Sequence, residues 1–141
     1  MRVINKIILH CSATTEGKNF SVQDIATWHI EKGLKNIGYH FVIYLDGTIK
    51  KGRPIEESGA HCLGQNKNSI GICYIGGIDK NGQPKDTRTA AQVMAMDNLL
   101  KDLLEELRFI QPGLIITVHG HREYANKACP CFDARQEYIN Y

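Results

Sequence analysis

Apolar and polar positions alternate along the chain in blocks whose periods define a series of elements. "KIILHCSAT" opens with consecutive apolar β-formers and closes on small polar residues, so Lys6–His10 reads as a buried strand that delivers His10 to a loop. "FSVQDIATWHIEKG" changes to helical spacing at Val22, Ile25, Trp28 and His29. Ser21 with Asp24 makes a capping box, Phe20 and Ile25 a hydrophobic staple, and Gly33 a stop. The β-rich run Tyr39–Leu45 meets an Asp46–Gly47 turn signal and a short second strand, which predicts a hairpin. Strand alternation there sets Tyr39, Phe41 and Ile43 on one face.

"NSIGICYIGG" is a further strand, followed by the polar loop "IDKNGQPKDTR". Thr89 and Gln92 then frame a second capping box. The stripe Met96, Leu99, Leu100, Leu103, Leu104, Leu107 marks a long amphipathic helix ended before Pro112–Gly113. "LIITVHGH" is a last buried strand, and "FDARQEYINY" forms a short terminal helix. The order strand, helix, hairpin, strand, helix, strand predicts an α/β fold: one domain over residues 1–141, a mixed β-sheet flanked by α-helices. Two strands, the first and the last, both end at a histidine, and strand ends are where loops gather functional groups.

Composition narrows the classes. The 141 residues are 43% apolar and 23% charged, ordinary for a soluble globular chain with one core. A formal charge of +2 without a polybasic block gives no reason to expect nucleic acid as partner. The N-terminal apolar run is broken by Asn5 and Lys6, so no signal peptide and no membrane insertion are expected, and synthesis is assigned to the cytoplasm. Five cysteines, without a C-x-x-C pair, argue against a disulfide framework, so each is apolar filler, ligand or nucleophile.

The chemistry concentrates in "HGHREYANKACPCFD", His119–Asp133. Catalytic zinc takes three protein ligands and keeps one position open. His10, His121 and Cys129 could supply two imidazoles and a thiolate, but His-x7-Cys is no established signature. On a strand His119 and His121 share a face, and an extended chain would put Cys131 beside Cys129. Spacing therefore leaves metal site, cysteine nucleophile and crowded loop all open.

Four blocks carry a resemblance. In order, "ILHCSAT", "GYHFVIYLDGTI", "GAHCLGQNKNSIGICYIGGID" and "GHREYANKACPCFD" resemble the type 2 N-acetylmuramoyl-L-alanine amidases. The likeness is greatest to the short zinc amidases of lytic bacteriophages, which are related to the peptidoglycan recognition proteins. It spans roughly residues 6 to 133. The resemblance implies one Zn2+ per chain on His10, His121 and Cys129, with Tyr39 and Lys127 catalytic. It leaves His119 and Cys131 outside the ligand set, and it places His61, Asn66 and Asn68 in a segment that faces substrate.

The implied reaction is hydrolysis of the amide between the lactyl group of N-acetylmuramic acid and L-alanine of bacterial peptidoglycan. Zinc chemistry suits it, lowering the pKa of a water to about 7 and polarising the carbonyl. Tyr39 would orient the water or carbonyl, and Lys127 would donate to the oxyanion, a contribution of about 3 kcal/mol. The implied partner is peptidoglycan or its muropeptides, met by a monomer that reaches the cell wall after release by another factor. The alternative is a peptidoglycan-binding recognition module without catalysis. Members of the wider family that only bind typically lack the ligand cysteine, which is present here as Cys129.

Overall fold

The computed structural model describes residues 1–141. Its strands in chain order are β1 (Lys6–Cys11), β2 (Thr14–Thr15), β3 (Phe41–Ile43), β4 (Ile49–Lys51), β5 (Ser69–Tyr74), β6 (Gly77–Ile78) and β7 (Thr117–Gly120). The helices are α1 (Val22–Glu31), α2 (Ala90–Ile110) and α3 (Ala134–Glu137). The main sheet runs β4-β3-β5-β1-β7; β3–β4 is antiparallel and every other pairing is parallel. Parallel neighbours need crossovers, and the two long helices supply cover for both faces of the sheet.

Alternation along β1 sorts the core. Ile7, Leu9 and Cys11 join Phe41, Ile43, Ile72, Tyr74 and Val118 beneath the stripe of α2. Ile25 of α1 packs with Ile37, Val42 and Ile75 in a second cluster. His10, one step out of phase with Leu9 and Cys11, points away from α2. Both capping boxes are formed: Ser21 with Asp24 at α1, and Thr89 with Gln92 at α2. Gln92 is fully buried and also donates to the carbonyls of Ile43 and Ile75, tying α2 to the sheet.

Three expectations change. The hairpin strand is short: only Phe41–Ile43 pairs, because Tyr44 already enters the turn through Gly47 N–H to Tyr44 C=O and Tyr44 N–H to Thr48 C=O. The last strand begins at Thr117 rather than Leu114. Thr117 pairs with Lys6, the first residue of β1, so earlier residues have no strand beside them and Ile115 is exposed. Thr14–Thr15, read as loop, and Gly77–Ile78, read as the end of a strand and the start of a loop, form a separate two-stranded parallel sheet above the strand ends. No helix is long and apolar enough to cross a membrane.

His40 gives the fold an acid sensitivity. It is buried, its Nδ1 accepts from Gly71 N–H at 3.0 Å, and its Nε2 lies 2.9 Å from the Glu57 carbonyl. Burial pushes its pKa down to about 4; the charges facing it are Arg2, Arg53 and Glu57, with His61 alongside. The unfolded chain, with histidine near 6.5, binds the proton first, so this stability is complete above about pH 6.5 and is lost as pH falls toward 4. The expected loss from pH 7 to 4.5 is roughly 2 kcal/mol from this residue. Urea denaturation at both pH values checks it: His40→Gln should narrow the difference between them, and an unchanged difference would remove His40 from the account.

A candidate metal centre

The strand ends meet on the side of the sheet away from α2. His10 is the penultimate residue of β1, and His121 opens a 3-10 turn, His121–Glu123, directly after β7. Glu123 closes that turn by accepting from Gly120 N–H at 2.7 Å, while its other oxygen holds His119 Nδ1 at 2.9 Å. The loop bearing Cys129 is fastened by Arg122 N–H to Cys129 C=O and by the buried Tyr74 hydroxyl, which donates to Pro130 C=O, both at 2.7 Å. A side chain at Gly120 would stand 2.9 Å from the Pro130 ring, so glycine is required where β7 passes under this loop.

His10 Nδ1 lies 3.2 Å from His121 Nδ1 and 3.9 Å from Cys129 Sγ. The three donor atoms are all within 4.8 Å of one another. Zinc–nitrogen and zinc–sulfur bonds of about 2.0–2.3 Å in a tetrahedron set such donors about 3.3–3.6 Å apart, so the cluster fits one zinc ion. Burial holds the His10 pKa well below its ordinary value and lowers that of His121 too, with Lys127 adding to the effect at both. Neutral imidazole is the form that ligates. The Cys11 backbone N–H donates to Cys129 Sγ at 3.2 Å, which fixes the sulfur beside the two imidazoles.

Tyr39 is half-buried beside the cluster, its ring centroid 5.0 Å from that of His10. Two contacts hold it: Arg53 N–H to Tyr39 C=O at 2.9 Å, and the His29 ring at 5.2 Å. His29 also accepts Gly38 N–H on Nδ1 at 2.8 Å, so α1 fixes the segment that enters the site. Burial, then the thiols of Cys73, Cys129 and Cys11, raises the Tyr39 pKa well above its ordinary value and keeps the phenol protonated. Lys127 is exposed at the rim of a cleft of about 180 Å3, walled by Trp28 and His29 of α1 and by Lys32 at its C-terminal cap. A larger hollow of about 530 Å3 lies between β4 and α2 and contains none of the three donor residues.

The family model described as N-acetylmuramoyl-L-alanine amidase matches residues 1–132. The chain belongs to this amidase family. It is 42% identical over 130 residues to the endolysin of Escherichia phage T7, a match covering 92% of this chain and 82% of that protein. With the endolysin of Klebsiella phage KP32 it shares 40% over 132 residues, 94% of this chain and 83% of the other. Among solved structures, the N-acetylmuramoyl-L-alanine amidase LysC from Clostridium intestinale URNW superposes with a TM-score of 0.77 at 27% identity, covering 95% of this chain and 80% of LysC.

In this amidase the other polar residues of the histidine–cysteine stretch have partners of their own. His119 has Thr117 Oγ1 at 2.7 Å on one ring nitrogen and Glu123 on the other. Cys131 sits at φ 72°, and its thiol faces Gly77 C=O at 3.3 Å and Cys11 Sγ at 3.9 Å. Burial pushes the Cys131 thiol up to about 12 and, after its bond to Cys129, helps to raise Cys11 further still, so neither offers a thiolate nucleophile.

In the segment expected to face substrate, His61 is buried while Asn66 and Asn68 are half-buried. His61 is buried behind His10, with His61 Nδ1 2.8 Å from His10 Nε2. Asn66 Oδ1 accepts the N–H groups of His61 and Cys62, each at 2.9 Å, and the Asn68 amide donates to Val3 C=O at 2.8 Å. None of the three lines the cleft beside the donor cluster. Sequence periodicity missed His61 behind the donors and gave His29 only a packing role on α1. Glycine at positions 59 and 71 leaves space for the His61 ring, but only the folded sheet brings those positions against it.

Proposed function

We propose that this amidase works as a single zinc hydrolase domain over residues 1–141, with Zn2+ held by His10, His121 and Cys129. The observation that carries the proposal is the convergence of two neutral imidazoles and a backbone-solvated sulfur, from three separate segments, within 4.8 Å. The substrate is the amide between the lactyl group of N-acetylmuramic acid and L-alanine in peptidoglycan, as in the family to which the chain belongs. Zinc bound there supplies Lewis acidity toward a water and the scissile carbonyl.

The chain's own groups do the rest. Tyr39, kept protonated by its surroundings, donates its hydroxyl hydrogen toward the carbonyl or orients the attacking water. Lys127 extends from the rim and places positive charge where the oxyanion develops. The wall of Trp28, His29 and Lys32 limits access from one side, and the open side admits a glycan-linked peptide. Cys129 within reach of His10 favours catalysis over a binding-only recognition module. We assign the enzyme, acting as a monomer, to lysis of the cell wall after release by another factor; its phage relatives are named endolysins.

The test is purified protein on cell-wall suspensions and defined muropeptides. Clearing should accompany release of free stem peptides with a new L-alanine amine. Both should stop on chelation and return with added zinc. Full activity after complete removal of metal would falsify the zinc assignment.

A further inference from the structure

We infer that His61 is a positioning residue that fixes which nitrogen of His10 carries the proton, and so presents His10 Nδ1 to the metal. The inference rests on the zinc reading above for its purpose, but its geometry stands apart from it. The chain of contacts starts at a group that can only accept. Gln65 C=O lies 2.7 Å from Ser69 Oγ, so the single hydroxyl hydrogen of Ser69 is spent on it. Ser69 Oγ therefore meets His61 Nε2, 3.3 Å away, as an acceptor, and His61 carries its proton on Nε2. His61 Nδ1 is then an acceptor too, and His10 Nε2, at 2.8 Å, must be the donor. A neutral imidazole has one N–H, which leaves His10 Nδ1 with a free lone pair facing His121 and Cys129.

The opposite assignment fails at both ends. A proton on His61 Nδ1 would put the lone pair of Nε2 against the lone pairs of Ser69 Oγ. It would also leave the His10 proton on Nδ1, inside the donor cluster.

The protein builds a slot for this ring. A Cβ at Gly71 would stand 2.6 Å from Cγ and Cδ2 of the His61 imidazole, and one at Gly59 would stand 2.6 Å from the same Cδ2 and 2.8 Å from the His40 ring. The His61 and His10 rings meet edge to face, 89° apart with centroids at 4.8 Å, so one ring's nitrogen addresses the other's in line. Asn66 anchors the backbone at this point through the His61 N–H. Outer partners of ligating histidines typically control metal affinity by 10- to 100-fold.

Long-range 1H–15N correlation on the wild-type protein, zinc-loaded and metal-free, reads the tautomer directly. His10 should carry its proton on Nε2 in both states, and His61 should carry its own on Nε2. A His10 proton on Nδ1 in the metal-free protein would overturn the inference, and this measurement requires no variant to fold. Chelator competition then gives zinc affinity: His61→Leu should weaken it about 10- to 100-fold, while His61→Asn, whose carbonyl can accept from His10 Nε2, should recover most of the loss. Wild-type affinity in a folded His61→Leu protein, with the His10 tautomer unchanged, would also overturn it. A wild-type protein that takes up no zinc would remove the metal assignment, and the metal-free tautomer would still decide the role of His61.

Discussion

Cys129→Ala is expected to lower amidase turnover by at least about a thousandfold and to empty the site of zinc while the fold persists. In the proposed site the sulfur would be the only anionic donor among the three, and without it two neutral imidazoles would hold the ion with no charge neutralised. Several kilocalories per mole of transition-state stabilisation depend on that ion, and each 1.36 kcal/mol is tenfold in rate. The loop itself does not depend on the thiol: Arg122 N–H to the residue 129 carbonyl and the Tyr74 hydroxyl to Pro130 C=O remain. Metal analysis, circular dichroism and turnover on a defined muropeptide read the three parts separately. Cys131→Ala is the matched control, since its thiol faces Gly77 and Cys11; it should keep zinc and most activity. A Cys129→Ala protein with wild-type turnover, or a Cys131→Ala protein that loses its metal, would reverse the division between the two cysteines.

What could be read from the sequence, and what could not, follows from the range of the interactions. The strand carrying His10 shows as an apolar run, and both capped helices rest on contacts within a few residues, so their patterns survive in the sequence. Tyr39 shows where such a pattern stops. Alternation puts it with Phe41 and Ile43, yet those two pack under α2 while Tyr39 packs with Val42 on the α1 side. The strand has ended by then: Arg53 N–H takes the Tyr39 carbonyl, the chain bends at His40, and the two-residue period no longer applies. His119 and His121 part for the same reason, because β7 stops at Gly120 and the next residue begins a tighter turn.

His61 is the larger gap. A polar loop with turn residues reads as a surface feature, and nothing within it reports that it folds back over β5. The space it occupies is set by Gly71, a strand residue whose missing side chain has meaning only once β5 lies beside β1. The donor set was accessible by resemblance because three fixed atoms define it. Its support was not, because the support is made of backbone carbonyls, a serine and two glycines that no spacing rule connects.

Tyr39→Phe should lower kcat by about a hundredfold with little change in KM and none in zinc content. Removing one oxygen leaves the ring against His10 at 5.0 Å and His29 at 5.2 Å, so packing is retained and the donor atoms are undisturbed. What disappears is a hydrogen-bond donor beside the reacting carbonyl, and a group used mainly in the transition state shows its loss in kcat. Because burial and the neighbouring thiols hold the phenol well above its ordinary pKa, it stays protonated across the working range. The alkaline limb of the wild-type pH–rate profile should therefore survive in Tyr39→Phe at reduced height. Steady-state kinetics over pH 6 to 10, with metal content measured in parallel, makes the comparison. If KM rose a hundredfold at constant kcat, Tyr39 would be a substrate-binding residue. If zinc were lost with the hydroxyl, its part would be in holding the metal site together and not in the chemical step.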